Sequence, residues 1–242
     1  AGLPTWIDSS PQGEKFIYAL IDVADRMKKD EIIYDLTKGR VDFIIHDLPV
    51  IPYNEFDYSF DFSDFLSCKG DYIAYLVKNN IINNSTPSND FSWEISTTDG
   101  SNEKWLLPVQ THLASGSFSW SPLEELAVYG TTSSLAEFGP SYADQLWLAD
   151  SKTQSTWLLS EAPGDEKPSQ YSPFYVNYEW LEAGEYSKLS FQMPEIWSPD
   201  GTRIAIPLTR WIGDKPYSSF CIIEIKTGEQ YCYENESFKP AR

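Results

Sequence analysis

The chain has two imidazoles, His46 and His112, so any mechanism that pairs a nucleophile with a histidine base must use one of them. His46 closes the run Ile44-Ile45-His46-Asp47 at a strand end, and His112 lies on the approach to a later strand. Both are expected to be partly buried hydrogen-bonding residues. The fragment Gly139-Pro140-Ser141-Tyr142-Ala143 approaches a nucleophile elbow, but it lacks the final glycine and sits in a loop. No phosphate-cradling loop, dinucleotide fingerprint or HExxH helix occurs. Paired carboxylates are the remaining enzymatic route, since two acids about 5–10 Å apart suffice for glycoside hydrolysis. With 36 acidic residues the sequence offers many pairs and singles out none. Asp57, Asp61 and Asp64 stand among Tyr58, Phe60, Phe62 and Phe65. That mixture could line a sugar or cation site, and strand alternation with aromatics inward explains it equally well. The balance leans away from an enzyme, and no cofactor is expected.

Residues suited to recognition are easier to find. The segment 161–192 carries Tyr171, Phe174, Tyr175, Tyr178, Trp180 and Tyr186. Amphipathic rings of this kind supply large contact areas at interfaces, or they pack the segment onto its own protein. The 36 acidic residues against 18 basic ones give a net charge of −18, which repels phosphate backbones and anionic headgroups. A protein partner is therefore expected, with neither nucleic acid nor membrane insertion. Apolar runs such as Tyr72–Val77 fall well short of the ~20 residues of a membrane helix. The N-terminus reads as neither a transit nor a signal peptide, leaving a cytosolic chain or one from which a signal was removed. Of the three cysteines, Cys221 and Cys232 flank a turn at Lys226-Thr227-Gly228-Glu229. If Ile225 faces Gln230, Cys232 lies opposite Ile223, one diagonal step from Cys221 on the same face. A disulfide there would indicate an oxidising compartment; the alternative is two small buried residues.

The elements that must position these residues form a repeat. Its clearest copy is Trp197-Ser198-Pro199-Asp200-Gly201, followed by Thr202–Ile206, Phe220–Ile225, a Lys-Thr-Gly-Glu turn and Gln230–Tyr233. A Pro-Asp-Gly turn, two alternating strands, a tight glycine turn and a last strand follow in that order. The order recurs from Ser10-Pro11-Gln12-Gly13, from Ser67-Cys68-Lys69-Gly70, and from Trp120-Ser121-Pro122. Asp200 in the clearest copy is expected to hydrogen-bond its own turn backbone. The repeat starts lie 57, 54 and 77 residues apart. A blade typically takes about 40–45 residues, so the excess sits in insertions, at Asp47–Asp64, Asn79–Asp90 and Glu161–Pro194.

This pattern resembles the TolB-like, or PD40, family of WD40-like β-propellers, whose blades open on a WSPDG-type turn. The resemblance implies an all-β fold of four recognisable four-stranded antiparallel blades in a single domain over 1–242. The blades are expected at about 4–46, 60–110, 117–160 and 193–234. The 161–192 insertion, with a hairpin across Ala183-Gly184, is either a degenerate fifth blade or a protruding arm. The family habit implies a non-catalytic binding or scaffolding module making protein–protein contacts outside the cytoplasm. The alternatives are an axial-carboxylate glycoside hydrolase and the propeller portion of a serine peptidase.

Overall fold

Alternation of apolar and polar residues at a period of two, punctuated by glycine turns, gives strands throughout the computed structural model. It describes residues 3–10, 13–21, 28–49, 52–54, 57–60, 65–78, 91–99, 101, 103–108, 112–132, 143–162, 170–171, 196–212 and 215–234. No helix occurs among them.

The first sheet runs β1 (Leu3–Ser9), β2 (Lys15–Ile21), β3 (Lys28–Asp35) and β4 (Arg40–Pro49), in that spatial order. A small hairpin, β5 (Pro52–Asn54) and β6 (Asp57–Phe60), stands in the acidic and aromatic segment. The second sheet contains β7 (Phe65–Leu66), β8 (Tyr72–Lys78), β9 (Phe91–Thr97) and β10 (Lys104–Leu106). The third contains β11 (His112–Trp120), β12 (Leu126–Thr132), β13 (Gln145–Asp150) and β14 (Ser155–Glu161). The fourth contains β15 (Gln170–Tyr171), β16 (Arg203–Ile212), β17 (Lys215–Glu224) and β18 (Gln230–Glu234). Each four-stranded sheet is a simple meander, which is the topology of a propeller blade. Residues Gln170 and Tyr171, drawn from the 161–192 segment, pair with Thr209 and Leu208, while Trp197 bridges Ile204 farther down the same strand.

The turn that opens each blade is built the same way four times. The Ser N–H donates to the carbonyl five residues on: Ser10 to Lys15, Ser67 to Tyr72, Ser121 to Leu126 and Ser198 to Arg203, at 2.8–2.9 Å. Three of the turns place a glycine third after the serine, Gly13, Gly70 and Gly201, each with φ near +70°. That left-handed geometry suits glycine because it has no Cβ. The third copy has Glu124 there, outside the left-handed region, and its chain takes another path.

The chain clusters into two compact units. The first comprises Ala1–Val109, Trp120–Ala127 and Ala149–Thr156; the second comprises Gln110–Ser119, Val128–Leu148 and Trp157–Arg242. In the first unit, facing sides of the first two sheets bury Ile17, Ile33, Ile45, Leu66, Ile73 and Tyr75, with Phe43 and Val77 packed against them. Burying such a side chain contributes roughly 1.5–3 kcal/mol. In the second unit Phe118, Leu146, Leu148, Ile204, Ile206 and Ile223 are buried. The Trp197 indole N–H donates to the Ser119 carbonyl at 3.3 Å.

Candidate functional site

Two features of the described residues have the makings of a site, one in each unit. In the second unit, strand alternation sorts the β17–β18 hairpin into two faces. Phe220 pairs with Tyr233 and Ile222 with Tyr231, which places these four on one face. Phe220, Tyr231 and Tyr233 are 45%, 50% and 61% exposed. Trp157 and Leu158 on β14 are exposed as well. The Tyr231 hydroxyl donates to Glu229 at 3.0 Å, and that bond raises its phenol above the ordinary range. Exposed rings, one of them with a tethered hydroxyl, form a surface with aromatic and polar character.

The opposite face of the hairpin carries Cys221 and Cys232, which are directly paired across the strands and joined as a disulfide. The expected register was off by two residues: Ile223, not Ile225, faces Gln230. The turn accounts for this. Glu224 N–H donates to the Glu229 carbonyl and Gly228 N–H to the Glu224 carbonyl, so the loop takes in Ile225. A shift of two keeps each residue on its face, and the diagonal pair becomes a direct one.

In the first unit, a cavity of about 280 Å³ opens among the blade turns. Its inner wall includes Lys15, Thr98 and Glu125, and Lys69 and Lys152 also line it. Lys15 is nearly buried, and its ammonium donates to the Gly70 carbonyl at 3.0 Å and to the Thr98 hydroxyl at 2.8 Å. Asp42 lies 3.8 Å away. A buried ammonium needs such partners, because desolvation alone would cost several kcal/mol.

Glu125 occupies the turn position held by Glu14, Asp71 and Thr202 in the other copies, all of them exposed, yet it is 2% exposed. One carboxylate oxygen, Oε1, receives the Cys68 thiol at 3.7 Å, while Oε2 has no hydrogen-bond partner among the described residues. Burial first, and the Glu125 charge second, push the Cys68 thiol up to about 11. Burial, then Glu125, Asp71, Asp150 and Glu103, raise the Tyr72 phenol.

The residues singled out in the sequence are dispersed. His46 lies on β4 with an exposed side chain, its Nδ1 3.1 Å from Asp30. His112 begins β11, and Asp57 begins β6. Tyr171 lies in β15. Phe174, Tyr175, Tyr178, Trp180 and Tyr186 lie outside the described residues, as do Asp61 and Asp64, Gly139–Tyr142 and the Asn79–Asp90 loop. Asp200 works within its own turn, accepting from the Ser198 hydroxyl at 2.6 Å and from Thr202 N–H at 3.1 Å. The Ser198 bond leads in holding its carboxyl down at about 2. Sequence reading missed Lys15, Glu125 and the Phe220–Tyr233 face. The aromatic face had a visible signal in the alternation Tyr231-Cys232-Tyr233. Glu125 had only the missing turn glycine beside it.

No protein-family model matches this chain, and no curated protein matches its sequence. Solved structures do match. The β-propeller domain of the trilobed protease from Pyrococcus furiosus aligns over 97% of this chain and 58% of its own, at 11% identity and a TM-score of 0.56. The acylaminoacyl peptidase of Pyrococcus horikoshii aligns over 96% of this chain and 32% of its own, at 14% identity and a TM-score of 0.50. An acylaminoacyl peptidase bound to a chloromethyl ketone aligns over 96% of this chain and 33% of its own, at 12% identity and a TM-score of 0.51. The chain thus spans about three-fifths of the first of these neighbours and a third of the others. At such identities the likeness establishes the fold, an all-β propeller.

Proposed function

We propose that this chain is a non-catalytic β-propeller module of TolB-like (PD40) character that binds a protein partner outside the cytoplasm. The observation that carries the reading is the exposed aromatic face of the β17–β18 hairpin, Phe220, Tyr231 and Tyr233. Tyrosine-rich surfaces of this type are enriched at protein interfaces. The net charge of −18 favours a partner presenting basic groups, which also stack on tyrosine rings, and disfavours nucleic acid. The Cys221–Cys232 pairing supports an oxidising compartment, and the family resemblance supports the cell envelope. Among the described residues no helix is long and apolar enough to cross a membrane.

Affinity capture from the native host tests the reading, comparing the wild type with a Phe220→Ser/Tyr231→Ser/Tyr233→Ser variant. The expected result is a basic protein retained by the wild type and lost by the variant. Identical partners for both would sink the assignment to this face. A second reading, the propeller portion of a serine peptidase, draws support from the peptidase propellers among the structural neighbours. Labelling of the native gene product by a fluorophosphonate probe would favour that reading. No observation favours the axial glycosidase.

A further inference from the structure

The first and fourth sheets differ from the second and third in the exposure of one face. Successive strand residues point to opposite faces, so a strand whose consecutive residues are all buried belongs to a sheet covered on both sides. Ile73, Ala74 and Tyr75 show this in the second sheet and Ala127, Val128 and Tyr129 in the third, none more than 1% exposed. In the fourth sheet Ile204, Ile206, Cys221 and Ile223 are fully buried. Alternating with them, Pro207, Phe220, Ile222, Tyr231 and Tyr233 form a second face that is half-buried or exposed. The first sheet repeats the pattern. Ile17 and Ile33 are fully buried, while Phe16, Tyr18, Tyr34, Val41 and Ile44 are half-buried or exposed. The pairings Phe16–Tyr34–Val41 and Tyr18–Ile32–Ile44 put these five on one face, where the Phe16 and Tyr34 rings stack at 5.2 Å. A sheet face bathed in water carries polar residues at such positions, and repeat arrays give their terminal repeats a polar outer face for the same reason. Both terminal sheets here present rings and aliphatic groups instead, which is the composition of a face packed against another protein surface.

We propose that two copies of this chain pair head to tail, the open face of the first sheet in each packing on the open face of the fourth sheet in the other. The contact continues a mode already present in the first unit, where Ile17, Ile33 and Ile45 of one sheet meet Leu66, Ile73 and Tyr75 of the next. A head-to-tail contact either closes at a fixed number of copies or runs on as a filament. Blade count favours closure at two. Propellers carry about 4–8 blades, so two copies of four sheets stay within the range and three exceed it. The trilobed protease's propeller domain is itself longer than this chain, which spans 58% of it. The first sheet also offers cations beside its open face: Lys38 and Arg40, on the turn leading to Val41, have side chains 46% and 71% exposed. This inference rests on the reading of the β17–β18 hairpin as a protein-binding face and names its occupant.

Sedimentation equilibrium of the whole chain tests it, at about 0.15 M salt so that the repulsion between two copies of charge −18 is screened. The expected result is a species of twice 27.6 kDa at about 20 μM chain. Tyr231→Ser/Tyr233→Ser and Val41→Ser/Ile44→Ser should each weaken pairing at least 100-fold, by removing opposite halves of the same contact. All four side chains are exposed, so neither variant depends on a change in the core. Mixing the two variants should restore part of the pairing, because the mixture still holds one intact first-sheet face and one intact fourth-sheet face. Three results overturn the proposal: a monomer up to about 200 μM; either variant pairing as the wild type does, which places like face on like face; or an open series of larger species. A monomer that still captures another protein through Phe220, Tyr231 and Tyr233 overturns this proposal and leaves the protein-binding reading standing.

Discussion

Asp35 shows how a single side chain organises a blade turn. Its Oδ1 accepts from Thr37 N–H at 2.9 Å, the Thr37 hydroxyl at 2.6 Å and Lys38 N–H at 3.0 Å, and Lys38 Nζ lies 3.0 Å from Oδ2. These bonds, the Thr37 hydroxyl foremost, hold its carboxyl well below the usual range against the opposing effect of burial. A depressed folded-state pKa stabilises the fold above the unfolded value of about 3.9, and the gain fades as pH falls through the folded one. Asp35→Asn should therefore cost about 1–2 kcal/mol at pH 7, with the gap from wild type closing below about pH 4 in urea titrations. A gap independent of pH would assign the effect to packing. The sequence exposes such turn aspartates because their partners lie two and three residues away. Glu125 gives no such sign: its hydrogen-bond donor, the Cys68 thiol, lies 57 positions earlier.

The elements repeat a second device, a residue with positive φ four positions after the acid that opens the β3–β4, β13–β14 and β17–β18 turns. Gly39 and Gly228 fill it with φ of 64° and 70°, while Gln154 fills it at 51°. A Cβ on Gly39 would meet nothing within 4 Å, whereas one on Gly228 would come within 2.8 Å of the Leu159 carbonyl oxygen. Gly39→Ala should cost about 1 kcal/mol from backbone strain alone. Gly228→Ala should cost about 2–4 kcal/mol, strain and overpacking together, and Gln154→Gly should gain about 0.5 kcal/mol. Urea midpoints would rank the three, and equal costs at Gly39 and Gly228 would refute the close approach of Leu159. Strand order and turn sites were legible because glycine placement and alternation are local. The cysteine register was not, because it depends on how many residues the loop takes in. Gln170 and Tyr171 were illegible as blade strand for another reason: β15 has two residues, too few for alternation to register.

At the scale of the molecule, the cysteines divide into a bonded pair and one buried thiol, Cys68. Alkylation followed by intact mass should add no label to the native chain, one after denaturation without reductant, and three with reductant. Three labels without reductant would show the pair to be open and remove the support for an oxidising compartment. Repeat proteins are often treated as strings of exchangeable parts, each touching only its neighbours through generic packing. Lys15 gives the first two sheets a more particular bond. Its stem passes 3.1–3.3 Å from where a Cβ on Gly70 would stand, and its ammonium ends on that glycine's carbonyl. Excising the first blade, or grafting the second onto another propeller, would thus take a shared ammonium donor from the Gly70 carbonyl and the Thr98 hydroxyl, and leave those two groups only their bond to each other. In evolution these two repeats should be duplicated or lost together, as one heritable piece.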